Sequence, residues 1–243
     1  MKTAFFDIHW TSNRFGILLG VLLLQLLSLP LFEGTVAAGY VEDALFLLLL
    51  AAAAYAVKEN RFIQLTLLFG ALSFMGVVIC FFTQQVTVLL ITGVVYLVYL
   101  GLVTVLIAAD VVRDHRITAD NVMGGLCVYV LVGVFWSFLF FTLQVVHPGS
   151  FEFSVHGGRP DLMAARNLLY YYSFVTLMTI GYGDVIPMSH MAQTLAILEG
   201  LVGQFYLVFF MASLVGRYIS RQHQLVPKAP EERDSTTDEG RGS

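Results

Sequence analysis

The sequence predicts an all-α membrane protein with six spanning helices, on the strength of its composition, its hydropathy and the spacing of its apolar runs. Of 243 residues, 58% are hydrophobic and 12% charged, about half the charged share of a soluble domain. Mean hydropathy is +0.79. Six apolar runs, at 15–32, 44–57, 62–82, 86–109, 122–146 and 191–215, are separated by stretches that hold nearly all the charge. A membrane barrel would instead show short strands of alternating polarity. Cys80 and Cys127 both lie inside apolar runs. They read as small buried hydrophobes, with no spacing for a disulfide or a metal.

Residues 1–14 read as an interfacial segment on the cytoplasmic face, with Lys2 and Arg14 flanking Phe5, Phe6 and Trp10. Run 15–32 is just long enough, at about 1.5 Å per residue, to cross a hydrocarbon core of about 30 Å. A cleaved signal peptide is the competing reading of this stretch, and no small-x-small cleavage site follows to favour it. The acidic loop 33–43 leads to run 44–57, the shortest of the six, which ends at Lys58-Glu59-Asn60-Arg61. Run 62–82 is followed by an uncharged turn, Thr83-Gln84-Gln85. No Lys or Arg occurs between Arg61 and Arg113. A helix that moves in the membrane field needs such charges, so run 86–109 is not a conventional voltage sensor. Residues 111–121 form a charged cytoplasmic linker, with Thr118, Asp120 and Asn121 offering capping chemistry for the next helix. It reads either as a solvated connector or as a lever between the first four helices and the rest.

Run 122–146 ends in the turn signal His147-Pro148-Gly149-Ser150. His147 and His156 share the loop that follows, without metal-ligand spacing. Asp161 suits the N-cap of a short helix reaching about residue 178. Then comes Thr176-Leu177-Met178-Thr179-Ile180-Gly181-Tyr182-Gly183-Asp184. Irregular backbone at membrane depth survives only where it lines a cavity or is buried in protein. Glycine admits positive φ without a steric penalty, so its alternation with bulkier residues lets successive carbonyls point one way. The last run, 191–215, ends at Arg217 and Arg221, and 222–243 reads as a disordered cytoplasmic tail too short for a nucleotide-binding domain.

Charge sidedness supplies an independent test. With a cytoplasmic N-terminus and six spans, eleven of the 13 basic residues fall on the cytoplasmic side, and only Arg159 and Arg166 fall outside. The Gly-Tyr-Gly stretch is thereby predicted at the outer face.

Residues Thr176–Asp184 resemble, at every specified position, the potassium-channel signature T-x-x-T-x-G-Y-G-D. The chain is similar to bacterial six-helix potassium channels that lack a charged fourth helix. The resemblance is strong over about 122–220 and rests on helix count and topology alone over about 15–110. It implies a sensor-like unit at 15–110 and a pore domain at 122–221, built of outer helix, turret, re-entrant pore helix, selectivity filter and inner helix. In that family four such loops replace the hydration shell of the ion with backbone carbonyls. One filter copy per chain therefore implies a homotetramer. By the same resemblance Thr179, Ile180, Gly181 and Tyr182 coordinate K+, with the Thr179 hydroxyl at the innermost site. Thr176, Gly183 and Asp184 support them. Tyr171 and Tyr172 either form an aromatic cuff around the filter or simply pack against the fifth helix. Val175 stands where some members place a glutamate paired with the motif aspartate.

Glu199 lies inside the last run, where a carboxyl is a functional candidate by default. It reads as a hydrogen-bonding group behind the filter, a pH sensor, an attractor of cations or a locally bonded structural residue. Gly200 and Gly203 follow it. Gly203 falls at the hinge position of the family's inner helices, and close helix packing is the equal alternative. Phe205, Phe209, Phe210 and Met211 offer either a hydrophobic constriction or contacts with lipid and the fifth helix.

The expected function is passive, K+-selective permeation without conventional voltage gating, in a multi-pass protein of the cell membrane (a bacterial inner membrane) with both termini in the cytoplasm. No enzymatic constellation, organic cofactor or nucleic-acid partner is expected. Partners are membrane lipid, further copies of the chain and an unidentified regulator of gating. The alternative from another class is a non-conducting scaffold or regulatory subunit that retains the pore fold.

Overall fold

A computed structural model describes residues 14–32, 38–57, 62–83, 85–113, 119–154 and 160–225. Helices α1 (Arg14–Phe32), α2 (Ala38–Ala56), α3 (Ile63–Thr83) and α4 (Val86–Arg113) precede α5 (Ala119–Val146). A short strand β1 (Phe151–Phe153), helix α6 (Leu162–Leu177), strand β2 (Val185–Pro187) and helix α7 (His190–Phe205) follow. Helix α7 runs through a π-helical segment, Tyr206–Met211, into α8 (Ala212–Leu225).

Among the described residues four helices are long and apolar enough to cross a bilayer, at Ile63–Cys80, Val86–Arg113, Ala119–Val146 and His190–Ser220. The apolar stretches described within α1 and α2, Arg14–Ser28 and Ala44–Ala56, are shorter. The loop expected over 33–43 is partly helical, because α2 begins at Ala38 and takes in Glu42 and Asp43. The fourth helix likewise outruns its apolar core and carries Asp110 and Arg113 into what was expected to be linker. Asp110 meets Arg14 of α1 at 2.6 Å, so charged ends of two helices satisfy each other and the helical backbone continues. At the C-terminal end, helix reaches Leu225, four residues into the stretch expected to be disordered. The interfacial segment 1–13, the linker core 114–118, His156, Arg159 and residues 226–243 lie outside the described residues.

Packing runs α1 on α2 and α5, α3 on α4, α4 on α5, and α5 on α6. The larger core joins Phe15, Leu18 and Leu22 of α1 to Leu49 and Ala53 of α2, Tyr99 and Val103 of α4, and Leu131 and Val134 of α5. Tyr99 donates its hydroxyl to the Leu50 carbonyl at 2.7 Å, which satisfies a phenol in an apolar interior. A second core surrounds α6, where Trp136, Phe140 and Phe141 of α5 meet Phe151, Leu169, Tyr172 and Val185. Helix α5 belongs to both cores, and Tyr170 and Phe174 bring α6 into the larger one.

Candidate ion pathway

Helix α6 starts as its sequence requires. The Asp161 carboxylate accepts from the Ala164 N–H at 2.7 Å, satisfying one of the amides a helix start leaves open. At the other end the chain leaves the helix without losing its hydrogen bonds. Met178 N–H donates to Phe174 O, Thr179 N–H to Thr176 O at 2.9 Å, and Ile180 N–H to Val175 O at 2.8 Å. The backbone then alternates, with φ of 59° at Thr179, 63° at Gly181 and 78° at Gly183 and no positive φ at Ile180 or Tyr182. Left-handed residues at every second position turn successive peptide planes the same way, and glycine fills two of the three at no cost. Residues 178–183 are all exposed, and the Thr179 hydroxyl donates to the Met178 carbonyl at 2.7 Å.

A two-stranded ribbon holds the far end of this loop. Strand β1 pairs antiparallel with β2 in the register Phe151–Pro187, Glu152–Ile186 and Phe153–Val185. The Asp184 carbonyl accepts from Ser154 N–H at 2.9 Å, and the Ser150 carbonyl accepts from Met188 N–H at 2.8 Å. Gln144 of α5 accepts from Phe151 N–H at 3.1 Å. The Ser189 hydroxyl then caps α7 by accepting from Ala192 N–H.

Tyr171 and Tyr172 leave α6 in different directions, Tyr171 exposed and Tyr172 buried. Tyr171 lies parallel to Tyr182, ring centroids 6.5 Å apart. Tyr172 is buried, edge-on to Phe140 and Phe151 at 5.3 and 5.4 Å. Of the two readings of these tyrosines, contact with the loop applies to Tyr171 and packing on the fifth helix to Tyr172.

Glu199 is fully buried. Its Oε1 lies 2.5 Å from the Ser173 hydroxyl, which also lies 2.8 Å from the Gly133 carbonyl. Helices α5, α6 and α7 thus meet at one side chain, Ser173. Ser173 and Glu199 are 26 residues apart, so nothing local announces the contact. Tyr129 is a second unanticipated partner, donating to the Leu177 carbonyl at 3.2 Å. Gly203 sits against that same residue, and a Cβ there would stand 2.8 Å from the Leu177 carbonyl oxygen. Gly200 has open space around it. The two glycines therefore differ: Gly203 is a close-packing position, whereas Gly200 leaves a gap on an uncovered face. Phe210 and Met211 pack toward α5, and Phe205 and Phe209 lie exposed. Tyr206 secures the π segment to α5 by donating to the Gly125 carbonyl at 2.5 Å.

Among the described residues no cluster of three His, Cys, Asp or Glu is positioned to hold a metal ion.

Residues 168–220, from mid-α6 to α8, match the family model described as ion channel. The chain is 31% identical over 111 residues to protein LctB of Bacillus caldotenax, covering 46% of this chain and 82% of that one. It is 30% identical over 111 residues to protein LctB of Geobacillus stearothermophilus, with the same coverage. No solved structure matches it.

Proposed function

We propose that this chain, which belongs to the ion channel family, conducts K+ passively through a pore lined by the carbonyls of Thr179, Ile180, Gly181 and Tyr182 from four identical copies. The observation that carries this reading is the alternation of positive φ at Thr179, Gly181 and Gly183 in an exposed loop anchored at both ends. Carbonyl oxygens aligned in this way replace the water shell of a dehydrated cation. The C-terminal end of α6 adds partial negative charge beside the innermost residue of the loop.

Assembly is supported by what α7 leaves uncovered. Along that helix Ala192, Glu199 and Gly203 are buried, while Ile197, Leu201, Val202 and Phe205 are exposed in the single chain. One loop cannot surround an ion, and a closed ring of copies both completes the coordination and covers such a face. We further read α1 and α2 as spanning helices, which makes six. Each has 19 residues, about 28 Å of helix against a hydrocarbon core of about 30 Å.

In this reading Tyr171 and Asp184 brace the loop from behind, Thr176 and Gly183 shape its two ends, and gating involves the α6–α7 contact at Ser173, Glu199 and Gly203. The test is ion flux into proteoliposomes made with the purified full chain. Potassium or rubidium uptake well above that of sodium is the expected result. Equal uptake of sodium and potassium refutes the selectivity, and absence of uptake by intact tetramers favours a non-conducting subunit.

A further inference from the structure

A cavity of about 270 Å³ is lined by residues from each of the six helices α1 to α6. Three of its polar atoms are buried with no hydrogen-bond partner among the described residues. They are Gln25 Oε1 on α1, Tyr96 Oη on α4 and Tyr170 Oη on α6. Tyr96 is 1% exposed and Tyr170 8%. The Tyr96 ring is clasped by Phe46 at 4.3 Å and Phe138 at 4.5 Å, and the Tyr170 ring lies 5.1 Å from Phe174. Tyr99, one turn further along α4 and fully buried, differs, since its hydroxyl donates to the Leu50 carbonyl at 2.7 Å. Unmade bonds at buried polar groups are costly and rare, so two phenols and an amide oxygen around one cavity call for an occupant.

Three hydroxyls in the same lining narrow what that is. Ser28 donates to the Gln25 carbonyl at 2.7 Å, Ser137 to the Val134 carbonyl at 2.7 Å and Thr142 to the Phe138 carbonyl at 2.8 Å. Each has given its one proton to its own helix and keeps lone pairs that still accept. The cavity thus offers phenol donors on α4 and α6 together with acceptors on α1 and α5. Its occupant must accept from the first and donate to the second. An anion only accepts, and an alkyl chain does neither. Water does both, and a buried water takes two to four such partners. At about 30 Å³ per water in the liquid, a space of about 270 Å³ admits a cluster and not a single molecule. Leu89 and Val145 line the cavity without offering a bond, so the waters gather at its polar wall.

We propose that this cavity binds a cluster of ordered waters that joins α4 to α6 by hydrogen bonds. The waters accept from the Tyr96 and Tyr170 hydroxyls. They donate to the Gln25 amide oxygen and to the hydroxyl oxygens of Ser28, Ser137 and Thr142. A bridging water is nearly as favourable in enthalpy as a direct bond. Because Tyr96 belongs to α4 and Tyr170 to α6, water carries a link between the first four helices and the helix that leads into the 178–184 loop.

The test is X-ray radiolytic footprinting of the purified full chain in detergent, read residue by residue by mass spectrometry. Radiolysis turns water into hydroxyl radicals where it sits, and these oxidise the side chains beside it. Tyr96 and Tyr170 should be oxidised several-fold faster than Tyr99, which has the same ring chemistry and 0% exposure. Gly93 also lines the cavity, and a Cβ there would stand 3.5 Å from Thr142 Oγ1. Gly93→Leu grows a side chain into the space and should bring Tyr96 down to the rate of Tyr99. If that variant does not assemble, the wild-type rates decide. Melting supplies a second sign. Tyr96→Phe and Tyr170→Phe each remove a bond made to water and should each melt lower than wild type. The double variant should lose less than the sum, because both bonds run to one cluster. Four results would each overturn the proposal: Tyr96 and Tyr170 oxidised no faster than Tyr99, Tyr96 labelling unchanged in Gly93→Leu, both phenylalanine variants melting higher than wild type, or strictly additive losses. The readouts are labelling and melting, not flux, so their failure leaves the potassium reading untouched.

Discussion

The hydroxyl of Ser173 stands 2.5 Å from Oε1 of Glu199 while lying 2.8 Å from the carbonyl of Gly133. A serine hydroxyl has one proton to donate. Both contacts are hydrogen bonds only when Glu199 supplies a proton of its own, so that the carboxyl donates to Ser173 and Ser173 donates to Gly133. The sign of the pH dependence follows. The link across α5, α6 and α7 is complete while Glu199 is protonated and is lost as pH rises through its ionisation. Potassium flux in proteoliposomes should therefore change as Glu199 ionises. Glu199→Gln keeps a donor and should hold the low-pH behaviour throughout. A pH profile identical in wild type and Glu199→Gln would remove the link from gating.

Ser173→Ala should be more harmful than its size suggests. It strands the buried Glu199 carboxyl, whose unmade bond costs about 1–3 kcal/mol. The expected outcome is a clear loss of thermal stability of the assembled protein. Ser173→Thr, which keeps the hydroxyl, should lose less.

Gly203→Ala and Gly200→Ala should separate. A methyl at Gly203 stands 2.8 Å from the Leu177 carbonyl oxygen, and backbone must move to admit it. Overpacking of this kind costs roughly 1–3 kcal/mol. At Gly200 the methyl meets nothing within the chain, and alanine favours helix by about 1 kcal/mol. Melting curves and flux should show Gly203→Ala impaired and Gly200→Ala near wild type. Equal impairment would mean that Gly200 faces another copy of the chain closely.

Gly181→Ala and Gly183→Ala place a side chain at φ of 63° and 78°, a left-handed backbone that costs an L-residue about 1–2 kcal/mol. The loop should relax and its carbonyls should no longer align. Rubidium-over-sodium selectivity in flux assays should fall sharply in both, with little change in helix content by circular dichroism.

Asp161→Ala removes the acceptor of the Ala164 N–H and should cost about 1 kcal/mol. Asp161→Asn keeps an acceptor and should melt within a degree or two of wild type. Similar losses in both would point to the charge and not the cap.

Some of this architecture is legible in the residues alone. Asp161 announces the start of α6, and the glycines at 181 and 183 announce the alternating backbone, because both depend on local chemistry. The start of α2 does not, since Glu42 and Asp43 look like loop and are carried inside a helix. The β1–β2 ribbon is also silent: two three-residue strands, Phe-Glu-Phe and Val-Ile-Pro, are too short for a period of two to register. The Ser173–Glu199 contact joins residues 26 apart, and serine in an apolar helix looks like any small filler until its partner is known.

The π segment at Tyr206–Met211 has a consequence for how the lower part of the α7–α8 helix is numbered. A π turn holds one residue more than the α-helical period, so the faces above and below it are offset by about 100°. Leu214 is the one buried against the core, while the Ser213 side chain folds back to the Phe210 carbonyl at 2.9 Å.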